Sequence, residues 1–386
     1  TENIYNKLHQ FKTKKNPFIG PIEINSRVTW VKPEFVCEVR FNDWTDDGRM
    51  LEPVFFCLRE DKSVCEIDIE TKPVIRAKQL SNNKAVVHDE ELLIFDKVKV
   101  QLNNRNKVYW PGEGITKGML IDYYQSMAAY LLPHLKHRLQ IPKIYPNGIL
   151  ETSSYDTVAG APDWLKRFSV NNKTAKKNIE YILCNNKASL AYLNNLGCIE
   201  LTPLSITKQN IKNPDFLVIE IVPSSKNSID EVAAVAQVIY AMLHKTNAAC
   251  YCKTSIHNSL HIYLPIEKRY SFKKVGLLAR TICERAQDEL PLVSSVEKDL
   301  KKRGNKVYLN HLQNSVEMCI PCVYSVLPVP GALVSTPLMW REVKAGLNPA
   351  AFTIESVPGR VKKLNDIFKP ALEKGVDLER LLRVLG

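Results

Sequence analysis

One short apolar run stands out in the pattern of hydrophobic and polar positions along the chain. Residues 216–222 read Phe-Leu-Val-Ile-Glu-Ile-Val, and a proline lies close to each end of this run. Seven residues between prolines, apolar and largely β-branched apart from one acid, predict a short strand that is covered on both faces of a sheet. Since residues two apart on a strand share a face, Glu220 lies beside Val218 and Val222. We therefore expect Glu220 to be paired with a cation, protonated or bound to a metal.

The chain after residue 95 alternates between helical and extended patterns. Apolar residues at 119, 120, 123, 127, 128, 131 and 132 predict a helix from a Thr116 N-cap to about Leu139. Further helices are predicted over 187–196 (closed by Gly197), 229–245 and 271–290, and strands over 249–254, 260–264 and 306–312. Helices and strands of mixed spacing indicate an α+β sheet domain.

The first part of the chain has a different pattern. Short apolar runs at 28–33, 35–41 and 53–58, with a turn at 45–49, predict a β-rich unit over 1–66. Residues 67–95 are polar, show no sustained period and are predicted to be a linker. The α+β domain is then predicted to occupy 96–386.

Composition and charge narrow the class of protein. The 386 residues are 45% hydrophobic and 24% charged, which is typical of a globular protein of two or three domains. No apolar run approaches the roughly 18 residues that span a bilayer, and no signal peptide is visible. The first residue is Thr1 rather than Met, which indicates a trimmed or partial chain.

The balance of charges favours a polyanionic partner. The 53 Lys and Arg residues exceed the 41 acids and give a net charge of +12, although a basic proteome would also produce this excess. Two basic clusters are candidates for contact with a phosphate backbone. They comprise Lys173, Lys176 and Lys177 in one place and Lys298, Lys301, Lys302, Arg303 and Lys306 in another, and each could also be ordinary solvated surface.

The ten cysteines are scattered and lie mostly in apolar runs, as expected of reduced thiols in the cytoplasm. Cys319 and Cys322 have the spacing of two zinc ligands, but no second pair has suitable spacing. Buried core thiols are therefore the preferred interpretation. His257 and His261 are four residues apart, which suits a metal site only on a helix, and here the pattern is extended.

Motifs along most of the chain resemble those of the polymerase domain of bacterial DNA ligase D, an end-joining ligase–polymerase. They include Lys-Val-Tyr-Trp-Pro-Gly-Glu-Gly-Ile-Thr-Lys-Gly at 107–118, Tyr-Pro-Asn-Gly-Ile at 145–149, Asn-Leu-Gly-Cys-Ile-Glu at 195–200, Lys-Thr-Ser at 253–255, Leu-His at 260–261, Lys-Arg-Gly at 302–304 and Val-Ser-Thr-Pro-Leu at 334–338. The resemblance implies a primase–polymerase fold of archaeo-eukaryotic type. The first unit looks like the C-terminal part of the OB-fold of an ATP-dependent DNA ligase.

The resemblance also assigns catalytic positions. The family carries Asp-x-Asp on the central strand and a third Asp on a later strand, which together hold two divalent cations for nucleotidyl transfer. The corresponding positions here are Glu220, Val222 and Asn310. Glu220 is then the one remaining carboxylate for Mg²⁺ or Mn²⁺.

The nucleotide-binding positions implied by the resemblance are also altered. Ser255 and His261 match the family's ligands for the triphosphate of the nucleotide (NTP), but bulkier residues replace the small ones between them. In the first unit, Arg59 and Lys62 match a motif that faces the phosphates of ATP. The Lys-x-Asp-Gly nucleophile of a ligase is absent from the sequence, so the fragment is not expected to adenylate itself. Further losses are Leu327 for an arginine, Leu204 for an aromatic residue and 154–157 (Ser-Tyr-Asp-Thr) for a segment with a basic residue.

Three functional interpretations remain open from the sequence. In the first interpretation, the chain is a polymerase-like relic that keeps the fold and binds DNA ends in non-homologous end joining, with catalysis impaired. Alternatively, it is an active nucleotidyltransferase that fills gaps before ligation, using Glu220 with substitute ligands. A third alternative is a structural module that supports the ligase half or a partner such as Ku. The family implies gapped or nicked duplex DNA as a partner and a bacterial, nucleoid-associated location.

Overall fold

The computed structural model describes residues 8–13, 17, 28–40, 43–44, 50–51, 54–58, 90–155, 160–172, 177–316 and 320–386. The chain divides into two compact units. Unit 1 comprises residues 1–83 together with 298–304, and unit 2 comprises 84–297 together with 305–386.

The described part of unit 1 is mainly extended. Its elements are β1 (Cys37–Arg40), β2 (Asp43–Trp44), β3 (Met50–Leu51), β4 (Val54–Leu58) and, from the later segment, the one-turn helix α5 (Leu300–Arg303). Strand β1 pairs antiparallel with β4, and β2 pairs antiparallel with β3. Two of the three predicted strands are therefore present as β1 and β4. The run 28–33 forms only an isolated bridge, between Val31 and Lys12.

Unit 2 contains the remaining elements, and its described strands form three two-stranded sheets, one four-stranded sheet and a central six-stranded sheet. Its strands are β5 (Glu91–Phe95), β6 (Val98–Leu102), β7 (Val108–Trp110), β8 (Ile115–Thr116), β9 (Arg138–Gln140), β10 (Lys143–Ile144), β11 (Ser154–Tyr155), β12 (Arg167–Asn172), β13 (Lys177–Ile182), β14 (Pro203–Thr207), β15 (Phe216–Val222), β16 (Tyr251–Thr254), β17 (Leu260–Pro265), β18 (Ser294–Ser295), β19 (Val307–Asn310) and β20 (Pro337–Leu338). Its helices are α1 (Lys117–Leu135), α2 (Lys187–Asn195), α3 (Ile229–Lys245), α4 (Phe272–Glu289), α6 (Ser356–Leu364) and α7 (Leu378–Leu385), with 3₁₀ turns at Ile256–Asn258, Trp340–Glu342, Pro349–Ala351 and Lys369–Leu372.

The central sheet has six strands in the order β18-β19-β15-β17-β16-β20. Strand β15 lies inside it, antiparallel to β17 on one side and to β19 on the other. Leu217, Ile219 and Ile221 are fully buried against α3, α4 and α7. Val218 faces the other way, into the core that contains α1. The prediction of a short strand covered on both faces is thus confirmed.

Local capping signals fix the helix starts where the sequence predicts them. The Thr116 hydroxyl accepts a hydrogen bond from the backbone of Met119, and Ser228 and Glu231 form a capping box at the start of α3. Gly197 has φ +97° after α2, and a Cβ there would lie 2.8 Å from the Tyr145 carbonyl oxygen. Helix α1 ends four residues before the predicted Leu139, because the chain turns and β9 begins at Arg138.

The C-terminal edge of the predicted linker also differs from the sequence expectation. Strand β5 occupies the last five residues of the stretch 67–95, and Leu93 and Phe95 on it pack against the buried Val100 and Leu102. The alternation of side chains along β5 covers only five residues, which is too short for the sequence pattern to indicate a strand. The remaining residues of that stretch, apart from Glu90, lie outside the described residues.

No helix among the residues that the structure describes is both long and apolar enough to cross a membrane. Of the seven cysteines whose side chains the structure describes, six are buried free thiols, as the interpretation of core thiols expects. Cys319 lies outside the described residues, so the structure does not test whether Cys319 and Cys322 lie close enough to share a metal.

Candidate functional site: a polar row across the central sheet

Strand register brings four polar side chains into one line across four neighbouring strands. Asn310 on β19 lies opposite Glu220 on β15, Glu220 lies opposite His261 on β17, and His261 lies opposite Lys253 on β16. Residues opposite each other in antiparallel strands project from the same face of the sheet. The row therefore lies on the face of β15 that points away from α3 and α4.

Glu220 is held by three donors. Its Oε2 accepts hydrogen bonds from Asn310 Nδ2 at 2.9 Å and from Gln313 Nε2 at 2.8 Å. Its Oε1 lies 3.3 Å from Nε2 of His261. Both carboxylate oxygens of Glu220 are thus engaged by protein groups, and the side chain is only 16% exposed.

His261 is linked in turn to a buried lysine. Lys253 Nζ lies 3.1 Å from Nδ1 of His261 and donates to Ser335 Oγ at 2.7 Å. Lys253 is 0% exposed and His261 is 2% exposed. The Lys253 ammonium also lies 5.6 Å from the centre of the Tyr263 ring. A buried charge of this kind requires compensation, and the nearest carboxylate in the row is Glu220.

The titration properties of the row follow from burial and from these contacts. Burial disfavours ionisation of Glu220, but hydrogen bonds from His261, Gln313 and Asn310 outweigh it and keep the pKa of Glu220 below its usual value. Burial, together with the Lys253 charge, lowers the pKa of His261. Burial also lowers the pKa of Lys253 to about 8. At neutral pH the row accordingly contains an anion, a neutral imidazole and a cation.

The three positions that match the family's metal-binding acids are brought together, but they do not form a metal site. Val222 is partly buried and has no ligand atom. Asn310 turns its amide nitrogen toward Glu220, and its Oδ1 accepts from the backbone of Leu312 at 3.1 Å. No group of three or more His, Cys, Asp or Glu side chains suited to a metal occurs among the described residues. The residues present therefore do not fit the two divalent cations that the family implies.

The loop expected to approach a triphosphate keeps a backbone shape that suits glycine. His257 and Asn258 have φ values of 52° and 59°, in the left-handed region. Ser255 is 3% exposed, and its backbone pairs with Ser259 across the turn. His257 is exposed whereas His261 is buried, so the four-residue spacing of the two histidines does not create a shared metal site.

Two other positions that depart from the family's pattern are ordinary core residues. Leu327 is 1% exposed, and its backbone N–H donates to Leu333. Leu204 is 3% exposed and belongs to a small cluster with Leu139, Leu183 and Ile206. An apolar side chain buried at position 327 presents no charge to a phosphate.

Several participants in the site were not assigned a role from the sequence. Gln313 belongs to none of the sequence motifs, and Lys253 and Ser335 occur in motifs that indicate no role for either residue. Glu200 is a further case, because burial raises the pKa of its carboxyl to about 7 although Lys143 and Lys253 oppose this shift. Lys143 lies over the rings of Tyr145 and Tyr155, at 5.4 and 5.8 Å. A lysine placed mid-strand in the pattern Tyr-Cys-Lys-Thr was the available signal for Lys253.

A second electropositive point lies at the start of α1. Lys117 is 3% exposed and donates to the carbonyl and side-chain oxygens of Asn103, both at 2.8 Å. Burial, and then the nearby charge of Lys107, lower the pKa of Lys117 to about 8. Lys107 is itself exposed and donates to Asn147.

The predicted DNA-binding residues differ in their exposure. Lys298, Lys301 and Lys302 are exposed, whereas Arg303 is 7% exposed and so displays little of its charge. Lys306 is partly buried and donates to the carbonyl of Pro291 at 2.7 Å. Arg59, Lys62, Lys173 and Lys176 lie outside the described residues, as does the side chain of Lys177.

The fold and the matching site positions define a protein of the primase–polymerase class. A solved structure titled as the polymerase domain of Mycobacterium tuberculosis ligase D in complex with DNA superposes with a TM-score of 0.65 at 23% identity, covering 71% of this chain and 98% of that one. The family model described as LigD, primase-polymerase domain, matches residues 116–368, and one described as ATP dependent DNA ligase C terminal region matches residues 1–62. The chain belongs to the LigD primase–polymerase family, whose members are nucleotidyltransferases that generally use divalent metals and nucleoside triphosphates.

Proteins named LigD from several bacteria are similar to this chain in sequence. The bifunctional non-homologous end joining protein LigD of Bacillus subtilis is 28% identical over 269 residues, covering 69% of this chain and 43% of the relative. The multifunctional non-homologous end joining protein LigD of Mycolicibacterium smegmatis is 25% identical over 276 residues, covering 70% and 36%. The Pseudomonas aeruginosa relative is 21% identical over 365 residues, covering 94% and 43%. The chain thus spans less than half the length of these relatives.

Proposed function

We propose that this chain is the polymerase-family part of a non-homologous end-joining ligase, and that it binds DNA ends without extending them. The observation that carries the proposal is the state of Glu220. It is the one carboxylate at the three positions that match the family's metal-binding acids, and its two oxygens are engaged by Asn310, Gln313 and His261.

Charge explains why synthesis is not expected. Two divalent cations bring four positive charges into a nucleotidyl-transfer site, and hard cations require oxygen anions. Here one carboxylate faces a resident lysine charge, and Val222 would place methyl groups where a ligand is needed. Mg²⁺ or Mn²⁺ held by Glu220, with NTP beside Ser255 and His261, is the arrangement that the family suggests. The donors around Glu220 and the buried Leu327 argue against it.

Binding to DNA is supported by charge that is independent of the eroded site. Lys298, Lys301 and Lys302 are exposed, and Lys107 adds a cation next to the buried Lys117. With a net charge of +12, such groups favour contacts with a phosphate backbone over a purely structural role. In the intact ligase, the partners would be double-strand break ends, gapped or nicked duplex and an end-binding protein such as Ku.

The test of this proposal is salt-dependent DNA binding measured by fluorescence anisotropy on a gapped duplex. We expect weak binding whose logarithm falls linearly with the logarithm of salt concentration. The variant Lys298→Glu, Lys301→Glu, Lys302→Glu should weaken binding and flatten that slope by about one per lost phosphate contact. A matched control reverses the exposed Lys226, Lys245 and Lys273. Equal affinity and slope in the unmodified chain and the first variant would show that these lysines are only solvated surface.

A further inference from the structure

The polar row contains a charge that the family comparison does not explain. Lys253 is completely buried, yet it is not in hydrogen-bonding contact with a carboxylate among the contacts that the structure describes. It contacts His261 and Ser335, and its charge interacts with Glu220 and Glu200 without direct contact. A buried ammonium ion is retained in a protein only where the surrounding charges and acceptors compensate it.

The directions of the hydrogen bonds in the row follow from the chemistry of the ammonium group. Ser335 Oγ donates its only proton to the Thr254 carbonyl at 2.8 Å, so it must accept from Lys253. An ammonium group has donors and no acceptor, so Nδ1 of His261 must also accept from Lys253. The proton of a neutral His261 ring then lies on Nε2, which points at Glu220 Oε1. Lys253 thereby determines which tautomer of His261 meets the carboxylate.

We propose that Lys253 is the built-in cation of this site: it supplies the positive charge that balances Glu220 and, through His261, positions the donor that occupies Glu220 Oε1. Lys253 is a positioning residue in this arrangement, because it acts on Glu220 only through His261 and through its field. In the row Lys253–His261–Glu220–Asn310 the charges of Lys253 and Glu220 then balance each other, and no divalent cation is required. This inference concerns the row alone and stands whether or not the chain binds DNA.

The first test is made on the unmodified 386-residue chain. Long-range ¹H–¹⁵N NMR correlation of the histidine rings reports which nitrogen carries the proton. We expect His261 to be neutral and protonated on Nε2, with signals that do not change when MgCl₂ is added. A proton on Nδ1 would overturn the proposal, because Lys253 could not then donate to that atom.

The second test separates the charge of Lys253 from its hydrogen bonds. Lys253→Gln keeps an N–H donor for His261 and Ser335 but removes the charge, whereas Lys253→Met removes both. We expect both variants to gain a rise in unfolding temperature on addition of MnCl₂, and Lys253→Gln alone to keep the Nε2 tautomer. Adding Glu220→Gln to either variant should abolish the gain. Lys273→Met, on an exposed position of α4, serves as the control and should behave like the unmodified chain.

Two results would contradict the proposal, and neither depends on DNA. One is a rise in unfolding temperature with MnCl₂ in the unmodified chain that Glu220→Gln removes, since the site would then bind a metal with Lys253 in place. The other is the absence of any Mn²⁺ response in Lys253→Gln, since the lysine charge would then not be what excludes the cation. If Lys253→Met fails to fold, the comparison of the unmodified chain with Lys253→Gln still decides the question.

Discussion

The side-chain amide of Asn314 pairs with both backbone groups of Val218, as a residue of a neighbouring strand would. Its Oδ1 accepts from the Val218 N–H at 2.9 Å, and its Nδ2 donates to the Val218 carbonyl at 2.7 Å. The segment after β19 is thereby tied to β15, and Gln313 is held where it can donate to Glu220. The position of Gln313 beside Glu220 therefore depends on Asn314, which does not itself contact Glu220.

This pairing predicts a measurable loss of stability. Asn314→Ala leaves the N–H and carbonyl of Val218 without their partner, which should cost about 1–3 kcal/mol of unfolding free energy. Urea unfolding followed by circular dichroism measures the change. Asn305→Ala, at an exposed asparagine before β19, should change stability little. Equal stability of the two variants would show that the pairing of Asn314 with Val218 does not stabilise the chain.

The left-handed residues of the 255–259 turn predict the opposite effect. His257→Gly and Asn258→Gly each replace a side chain at positive φ with the residue that tolerates this conformation best. Each should stabilise the chain by up to about 1 kcal/mol, with the larger gain at His257, because asparagine tolerates φ > 0 better than most residues. Ile256→Gly, where φ is not positive, should destabilise instead. Destabilisation by both of the first two substitutions would show that the backbone is not strained there.

Glu200 predicts a dependence of stability on pH. Its carboxyl pKa is raised in the folded chain to about 7, so between the ordinary value of 4.5 and 7 the folded state binds more protons than the unfolded state. The contribution of this group to stability is therefore fully present below pH 4.5 and is lost as the pH rises to about 7. Glu200→Gln should remove that loss. Relative to the unmodified chain, the unfolding free energy of the variant should therefore be about 1–2 kcal/mol higher at pH 8 than it is at pH 5.

The control for Glu200 is Glu289→Gln, which changes an exposed glutamate at the end of α4. Thermal unfolding of the three proteins across pH 5–8 shows the effect. If Glu200→Gln and Glu289→Gln follow the same curve, the carboxyl at position 200 titrates as an ordinary surface group.

Restoring the three acids tests whether added negative charge outweighs the charge of Lys253 and allows metal binding. Glu220→Asp, Val222→Asp and Asn310→Asp together place three carboxylates on neighbouring positions of β15 and β19. We expect Mn²⁺ to raise the unfolding temperature of this variant, because a ligand that binds only the folded state stabilises it. The control, Glu220→Asn with Val222→Asn, keeps a similar shape without the charges. A variant that stays insensitive to Mn²⁺ would indicate that Lys253 alone suffices to exclude the cation.

The sequence predicts well those features that depend on neighbouring residues. The apolar run at 216–222, the Thr116 and Ser228 caps and Gly197 after α2 all act within a few positions, and the structure confirms the elements they mark. The family motifs also located Glu220 and Asn310, which the register of β15 and β19 does place side by side.

Other features of the site depend on distant parts of the chain, and these could not be predicted. Lys253 meets Ser335 across 82 positions, and Gln313 reaches Glu220 across 93. These contacts depend on how β15, β16 and β19 are aligned and on where the chain turns after β19, which periodicity does not encode. The predicted end of α1 at Leu139 likewise lies too late, because apolar residues of β9 continue the pattern of the helix.

Extension of a gapped primer is the measurement that tests the central claim most directly. The unmodified chain is incubated with the gapped duplex used for binding, with MnCl₂ and each ribonucleoside triphosphate in turn, beside Glu220→Ala and a reaction without protein. We predict binding of this duplex with no extension above the reaction without protein, because one internally paired carboxylate cannot hold the two cations of nucleotidyl transfer. Robust extension by the unmodified chain that Glu220→Ala abolishes would contradict the account.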